Sequence, residues 1–299
     1  MKLSARAKAY LALITVSAIW GIAGPVIKAT LEYIPPFTFL YYRFLMVGVF
    51  TIPWYILYLR RHPLRKQDIW PLTVFGYLAT TLNLGLIFLG FERTTALDGT
   101  LLGVISPLFI VALGVLFLKE KISPHAKWGL LLAFIGSIVT VVQPLFEGIA
   151  FPLENIFGNV LILIGAIVWA VFTFISKKSF KHFSPTLITL HSSIVGLVTF
   201  MLLAFIEHGY AFPPVEFIFS SKPIFWGVFY LSILSYLVAY FLYEYGMSKI
   251  KISEGSLFTY LHPLFALPVA YFWLGETVTA AFIVGAVLIA VGVVFAEKK

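Results

Sequence analysis

The side chains of this sequence that could do chemistry are few, and most of them interrupt long apolar runs. Arg43, His191 and His262 carry ionisable groups, and Asn83 carries a strongly polar amide. Ionisable groups at membrane depth are costly, so they usually face protein or water and often mark a substrate or ion path. Because a histidine can titrate near neutral pH, His262 is the candidate for moving a coupling proton.

Each of these groups also has a structural interpretation. Arg43 is either a clamp for an anionic group or an anchor between helices. His191 and His262 either bind substrate or make packing hydrogen bonds, and the nearby aromatic rings either line a cavity or pack against lipid and protein. The functional interpretation predicts a substrate-binding set near mid-depth, which consists of Trp20, Arg43, Asn83, Trp169, His191, Tyr240, Tyr260 and His262.

The composition places these residues in a membrane. Hydrophobic residues make up 61% of the 299 positions and charged residues 11%, and the mean hydropathy is +0.98. A soluble domain usually carries about 25% charged residues, so a water-soluble fold could not hide this much apolar surface. The sequence contains no cysteine, which excludes a thiol nucleophile and a thiolate metal site. It also contains no HExxH motif and no phosphate-binding glycine-rich loop, and we expect no cofactor.

Ten apolar runs are long enough to cross a bilayer as helices, which takes about 20 residues each. Seventeen of the 21 basic residues fall in segments that are cytoplasmic if both termini are cytoplasmic, as the retention of positive loops on that side predicts. The net charge of +8 therefore indicates orientation in a cell (inner or plasma) membrane rather than nucleic-acid binding. The predicted spans are 9–29, 37–59, 70–91, 98–118, 125–143, 157–176, 185–206, 224–247, 254–274 and 278–296.

The sequence repeats itself at an offset of 156 residues, where Gly90 matches Gly246 and Pro107 matches Pro263. Because five helices is an odd number, the second copy must enter the membrane inverted, a plan that recurs in secondary transporters. Both prolines fall near the middle of a predicted helix, the fourth and the ninth, and each can bend its helix. The two predicted five-helix repeats cover 9–143 and 157–296.

Two long segments carry the clearest motifs. The first half reads SPLFIVALGVLFLKEKISPHAKWGLLLAFIGSIV and the second HPLFALPVAYFWLGETVTAAFIVGAVLIAVGVV, and SAIWGIAGPVIK and YYRFLMVG occur earlier. In these segments the chain resembles the EamA family of the drug/metabolite transporter superfamily. The second half departs from the first by having His191 where the first has Arg43. The resemblance implies an all-α, ten-helix membrane fold and the transport of small solutes, often outward, without naming the substrate.

These observations favour a secondary transporter that alternates access to a central cavity between the repeats and exports small metabolites or drug-like solutes. Without an ATP-binding motif, its energy would come from a solute or ion gradient. An intramembrane enzyme acting on a lipid or lipid-linked substrate is the alternative, together with a channel or scaffold, but an enzyme needs clustered acids, bases or metal ligands. The expected partners are the solute, the bilayer and a coupling proton or ion, and the oligomeric state stays open.

Overall fold

The computed structural model describes residues 4–118, 124–145, 152–179, 182–250 and 255–297. Every regular element within these ranges is a helix. Helices suit such an apolar chain because a backbone in lipid has no water to bond, and a helix satisfies its own N–H and C=O groups.

The first half forms α-helical segments joined by short turns. Ser4 caps the first of them, because its side chain accepts a hydrogen bond from the N–H of Ala7 at 3.1 Å. A π-helical segment, Tyr77–Leu82, joins the third and fourth without a break. The segments are α1 (Ala5–Leu31), α2 (Pro36–Arg61), α3 (Lys66–Gly76), α4 (Asn83–Arg93), α5 (Ala96–Gly103), α6 (Ser106–Leu118) and α7 (Pro124–Val142).

The second half also consists of α-helical segments, some of them continued by π-helical or 3-10 segments. Ser184 caps α9 through the N–H of Leu187, and the π-helical segment Tyr230–Val238 joins α10 to α11. A 3-10 segment, Ser256–Leu261, precedes α12, and a π-helical segment, Ala270–Leu274, extends it. The α-helical segments are α8 (Pro152–Ser179), α9 (Pro185–Glu207), α10 (Lys222–Phe229), α11 (Ala239–Lys249), α12 (His262–Val269) and α13 (Ala280–Glu297).

Six helical stretches in the described part of the chain are long and apolar enough to cross a membrane. Shorter apolar helices accompany them over Ala96–Ile110, Phe258–Leu274 and Ala280–Gly292. Large apolar side chains are exposed on the outside, among them Phe272 and Trp70, as expected for lipid contact. The fold is therefore an all-α, multi-pass membrane fold. The six long stretches are Ala5–Leu31, Pro36–Arg61, Lys66–Arg93, Leu153–Ser176, Pro185–Glu207 and Lys222–Lys249.

Two predicted spans are interrupted helices. The run predicted over 98–118 stops being helical at Val104 and Ile105 and resumes in α6, where Pro107 is the second residue. Pro263 is likewise the second residue of α12, directly after the 3-10 segment. Proline lacks an N–H group, and the first turn of a helix has no intrahelical acceptor for one, so these prolines suit helix starts. The structure therefore divides the first of these spans into two helices, whereas the second continues from a 3-10 into an α-helical and then a π-helical segment.

Helices from the two halves pack against each other throughout the molecule. The main pairs are α1 with α11, α2 with α9, α4 with α8 and α7 with α13. Glycines permit the closest approaches, because small residues let helix backbones meet in a membrane. A Cβ atom at Gly90 would lie 2.8 Å from the carbonyl oxygen of Gly158, and one at Gly136 would lie 2.9 Å from that of Gly285. The interior of the protein is thus built jointly by the two halves.

Candidate functional site

A cavity of about 150 Å³ lies between the two halves of the chain. Its wall comes from α1, α2, α4, α5, the start of α6, α8, the π-helical segment before α11, α11, the 3-10 segment before α12, and α12. Six of the eight residues that the sequence predicts as substrate-binding line it, namely Trp20, Arg43, Asn83, Trp169, Tyr240 and His262. A substrate-binding role for them stays a prediction, but the fold brings them together.

A cluster of aromatic rings forms one wall of the cavity. The Trp20 ring lies 5.5 Å from those of Trp169 and Tyr240 and 6.2 Å from that of His262, measured between ring centroids. The contacts are edge-to-face, the geometry that ring quadrupoles favour. The indole N–H of Trp20 donates to the carbonyl oxygen of Ser235 at 2.9 Å. The cluster therefore joins α1, α8, α11 and α12 at one point.

Arg43 is fully buried in α2, with only 2% of its surface exposed. Its guanidinium carbon lies 5.8 Å from the ring centroids of Phe44 and Tyr236 and 6.0 Å from that of Phe88. The Nε atom has no hydrogen-bond partner. The backbone carbonyl of Arg43 accepts a hydrogen bond from Ser232 at 3.1 Å, which joins α2 to the second half.

Asn83 and Tyr240 tie the cavity wall together through backbone carbonyls. The Asn83 side-chain amide donates to the carbonyl oxygen of Gly165 at 2.9 Å, which joins α4 to α8. The Tyr240 hydroxyl donates to the carbonyl oxygen of Ala79 at 3.0 Å. Ala79 lies in the π-helical segment before α4, so α11 is joined to the third span of the first half.

His262 reaches the cavity because α1 approaches its backbone closely. A Cβ atom at Gly21 would lie 2.6 Å from the carbonyl oxygen of His262 and 2.9 Å from the Cβ of Phe265. Only glycine fits at this crossing of α1 and α12. One helical turn away, Ser17 donates to the carbonyl oxygen of Phe258 at 2.6 Å, so α1 also holds the 3-10 segment that precedes His262.

His191 is not among the residues that line the cavity. Its Nδ1 atom lies 2.6 Å from the hydroxyl of Tyr55, and its Nε2 atom lies 3.1 Å from that of Thr73. Both ring nitrogens are therefore used in joining α9 to α2 and α3. Helix α9 presents this face to two neighbours, and the geometry is that of a packing histidine.

Tyr260 is also outside the lining set and packs against a separate apolar cluster that includes Leu108 and Phe282.

The sequence did not indicate which small polar residues line the cavity, nor the hydrogen bonds that its lining residues make. Thr100, Ser106 and Thr259 line the cavity, but nothing in their type or spacing distinguishes them from other helical residues. Among the described residues, no group of three or more His, Asp or Glu side chains could hold a metal ion.

Glu276 joins the turn before α13 to the start of α5 in the other half of the chain. Its carboxylate accepts hydrogen bonds from the backbone N–H groups of Ala96, at 2.6 Å, and Leu97, at 2.9 Å, which begin α5. Burial raises the pKa of Glu276, while these two hydrogen bonds and the positive charge of Lys28 act in the opposite direction. The contact joins residues that are 180 positions apart in the sequence.

Lys28 lies beside this contact at the end of α1. Its ammonium group donates to the carbonyl oxygens of Phe91, at 3.1 Å, and Glu92, at 3.4 Å. Ile27 and Phe91 both line the cavity. Lys28 therefore directly follows one cavity-lining residue in the chain and donates a hydrogen bond to another.

The chain resembles known membrane transporters over almost its whole length. An uncharacterised transporter from Archaeoglobus fulgidus is 26% identical over 293 residues, which cover 98% of each chain. Another, from Synechocystis, is 30% identical over 260 residues, which cover 84% of this chain and 71% of its own length. A solved crystal structure shares the fold, with a TM-score of 0.66 at 17% identity over 97% of both chains. The sequence model of the EamA-like transporter family matches residues 7–142 and 156–297. The chain is therefore a multi-pass membrane protein that belongs to the EamA-like transporter family.

Proposed function

We propose that this protein is a secondary transporter that exports small metabolites or drug-like solutes by alternating access. The observation that carries the proposal is the cavity, because both halves of the chain contribute to its wall. A site at such an interface can open to either side when the halves rock against each other. The size of the cavity, about 150 Å³, matches a solute of about one aromatic ring.

We further propose that the halves are two inverted five-helix repeats, ten helices in all, with both termini cytoplasmic. The pairing of helices supports this. If α1 corresponds to α8 and α4 to α11, exchange of the halves turns the α1–α11 pair into the α4–α8 pair, and both pairs occur. The α2–α9 and α7–α13 pairs correspond to themselves. Such an exchange is what a two-fold axis in the membrane plane would produce.

Matching glycines support the same relationship. Gly90 and Gly246 are related by the sequence repeat, and each lies where a Cβ atom would meet a residue of the other half. The neighbour is Ile162 of α8 for Gly90 and Leu13 of α1 for Gly246. The two close approaches thus occur at equivalent helix pairs, α4–α8 and α11–α1.

If both termini are cytoplasmic, Lys28 and Glu276 lie on the outer side of the membrane. The end of α1, the start of α5 and the turn before α13 then lie on one side, and their hydrogen bonds close the outer end of the cavity. We propose that outward release requires these bonds to break.

An intramembrane enzyme is the competing class of function. Catalysis on a lipid would need a cluster of acids, bases or metal ligands, and the described residues that line the cavity include one histidine and one arginine as ionisable groups near its centre. Their arrangement suits binding of a solute better than bond cleavage. We therefore propose a non-enzymatic transporter that is driven by a gradient, in which His262 is the candidate for carrying a coupled proton.

Flux measured in proteoliposomes tests the proposal. The purified protein would be reconstituted, and exchange of amino acids, nucleosides and organic anions across the membrane would be measured. Gly103 provides a matched pair of variants, because it lines the cavity and no atom lies within 4 Å of a Cβ built there. We expect Gly103→Leu to fill the cavity and abolish flux, while Gly103→Ala retains it. Conversion of a lipid without solute flux would contradict the proposal.

A further inference from the structure

We propose that the cavity recognises its solute through one anionic group bound by Arg43, so that the substrates are small organic anions with an apolar body. This inference rests on the proposed transport function and adds the chemical class of the solute. The environment of Arg43, the lining of the cavity and the size of the cavity support it.

Arg43 is a buried cation that has no anion beside it. No Asp or Glu among the described residues lies within ion-pair distance of its guanidinium group, and its Nε atom makes no hydrogen bond. Arginine stays protonated in proteins, and an uncompensated buried charge is strongly unfavourable. An anion that enters the cavity from water would supply the missing partner.

The aromatic groups around Arg43 carry no negative charge. The rings of Phe44, Phe88 and Tyr236 face the guanidinium group at 5.8 to 6.0 Å. Rings attract a cation moderately, but they leave its five N–H donors without good acceptors. The hydroxyl of Tyr236 donates to the carbonyl oxygen of Thr189 at 3.2 Å, and that of Tyr240 donates to Ala79.

The rest of the lining favours an anion over a cation or a zwitterion. The described residues that line the cavity include Arg43 but no Asp, Glu or Lys. An ammonium group on the solute would therefore meet no carboxylate. A carboxylate, in contrast, would find the planar guanidinium fork, which binds it through two parallel hydrogen bonds.

The aromatic wall suits the body of the solute. Trp20 and Trp169 line the cavity in edge-to-face contact, and an apolar ring can pack against such faces. Other cavities of this size hold one benzene molecule. A benzoate-sized anion fits these limits, with its carboxylate at Arg43 and its ring at the tryptophans.

Thermal stabilisation of the purified protein by matched probes tests the inference. Benzoate, benzamide and benzylamine have the same ring and nearly the same size, but they are anionic, neutral and cationic. We expect benzoate to raise the apparent melting temperature at constant ionic strength, because a ligand bound to the folded state stabilises it. We expect no comparable shift with benzamide or benzylamine. Equal shifts with benzamide, or no shift with benzoate, would overturn the inference. Equal stabilisation by phenylalanine, a zwitterion, would also overturn it.

Variants assign the effect to Arg43. We expect Arg43→Gln to weaken benzoate binding about thirtyfold or more, as is common when one side of a buried charge pair is removed. Arg43→Lys should retain part of the affinity. Arg61→Gln is the matched control, because Arg61 is exposed at the other end of the same helix. Unchanged binding in Arg43→Gln would contradict the inference. If Arg43→Gln does not fold, the comparison of the three probes on the natural chain still decides.

The binding and flux measurements test the anion site and the transport function independently. Benzoate binding that depends on Arg43, without flux of any solute in proteoliposomes, would leave the anion site intact and refute the transport function. Flux of neutral or cationic solutes, without benzoate binding, would refute the anion site and leave the transport function intact.

Discussion

The carboxylate of Glu276 accepts a hydrogen bond from the backbone N–H of Ala96 at 2.6 Å, which joins the turn before α13 to the first residue of α5. The first N–H groups of a helix have no intrahelical acceptor, and a carboxylate at that end also interacts favourably with the helix dipole. Leu97 donates to the same carboxylate at 2.9 Å. One side chain therefore ties the second half of the chain to α5, the helix that contributes Gly99 and Thr100 to the cavity wall.

We expect Glu276→Ala to open the outer end of the cavity. The two N–H groups lose their acceptor, and leaving a buried donor unsatisfied typically costs about 1 to 3 kcal/mol. A cysteine at Ala23 would report the opening, because Ala23 lines the cavity and the natural chain has no cysteine. A membrane-impermeant maleimide added outside cells should label Ala23→Cys faster when Glu276→Ala is present.

The control for this experiment is Glu276→Gln. Glutamine keeps a side-chain oxygen that can accept from one N–H group, so labelling should increase less than in Glu276→Ala. Equal labelling in all three backgrounds would mean that Glu276 does not close the cavity.

The stability of the protein should depend on pH through Glu276. Burial raises its pKa above the usual value, so the folded state holds the proton more tightly than the unfolded state. Glu276 therefore contributes to the free energy of unfolding below its pKa in the unfolded chain, about 4.3. This contribution is lost as the pH rises through the higher pKa of the folded state. Melting temperatures measured upward from pH 4 should fall in the natural chain relative to Glu276→Gln. Melting temperatures that change with pH in parallel for the two proteins would contradict the raised pKa of Glu276.

We expect Gly21→Ala to disrupt the crossing of α1 and α12. The added methyl group would lie 2.6 Å from the carbonyl oxygen of His262, and such overpacking typically costs about 1 to 3 kcal/mol. Gly103→Ala makes the same chemical change on a cavity-lining helix with open space around it. It should be neutral or stabilise by about 0.4 to 1 kcal/mol. Thermal unfolding of both variants in detergent checks the difference, and equal melting temperatures would refute it.

His191 should matter for stability and not for solute recognition. Its two ring nitrogens face the hydroxyls of Tyr55 and Thr73. His191→Ala would remove the partner of the half-buried Tyr55 hydroxyl, while Thr73 still donates to the carbonyl oxygen of Ile69. A lost hydrogen bond typically costs about 0.5 to 1.5 kcal/mol. We expect a lower melting temperature and unchanged benzoate affinity. A loss of affinity in folded His191→Ala would return His191 to the substrate-binding set.

The sequence was sufficient for the all-helical membrane fold and for six of the residues that line the cavity. Apolar runs of helical length predict spans directly, and Trp20, Arg43 and Asn83 stand out because their types are unusual in such runs. The partner of Glu276 could not be predicted, because the contact joins residues 180 positions apart and depends on how the halves meet. His191 matches Arg43 in the repeat, yet its ring faces α2 and α3, since orientation around a helix axis is set by packing. The ten-helix inverted repeat remains a proposal that rests on the symmetry of the helix pairs.

The last prediction concerns coupling through His262. It is the one histidine among the described residues of the cavity wall, and histidine can titrate near neutral pH. The elements packed against α12 include α1 and α5. On α5 the other titratable candidate is Asp98, whose Oδ1 atom accepts from the side-chain amide of Gln143 at 2.6 Å. We expect His262→Gln, which keeps a polar side chain of similar reach, to abolish the pH dependence of flux in proteoliposomes. Asp98→Asn should retain that dependence after normalisation to folded protein. If His262→Gln keeps the natural pH profile and Asp98→Asn loses it, the coupled proton belongs to Asp98 and His262 has only a binding or packing role.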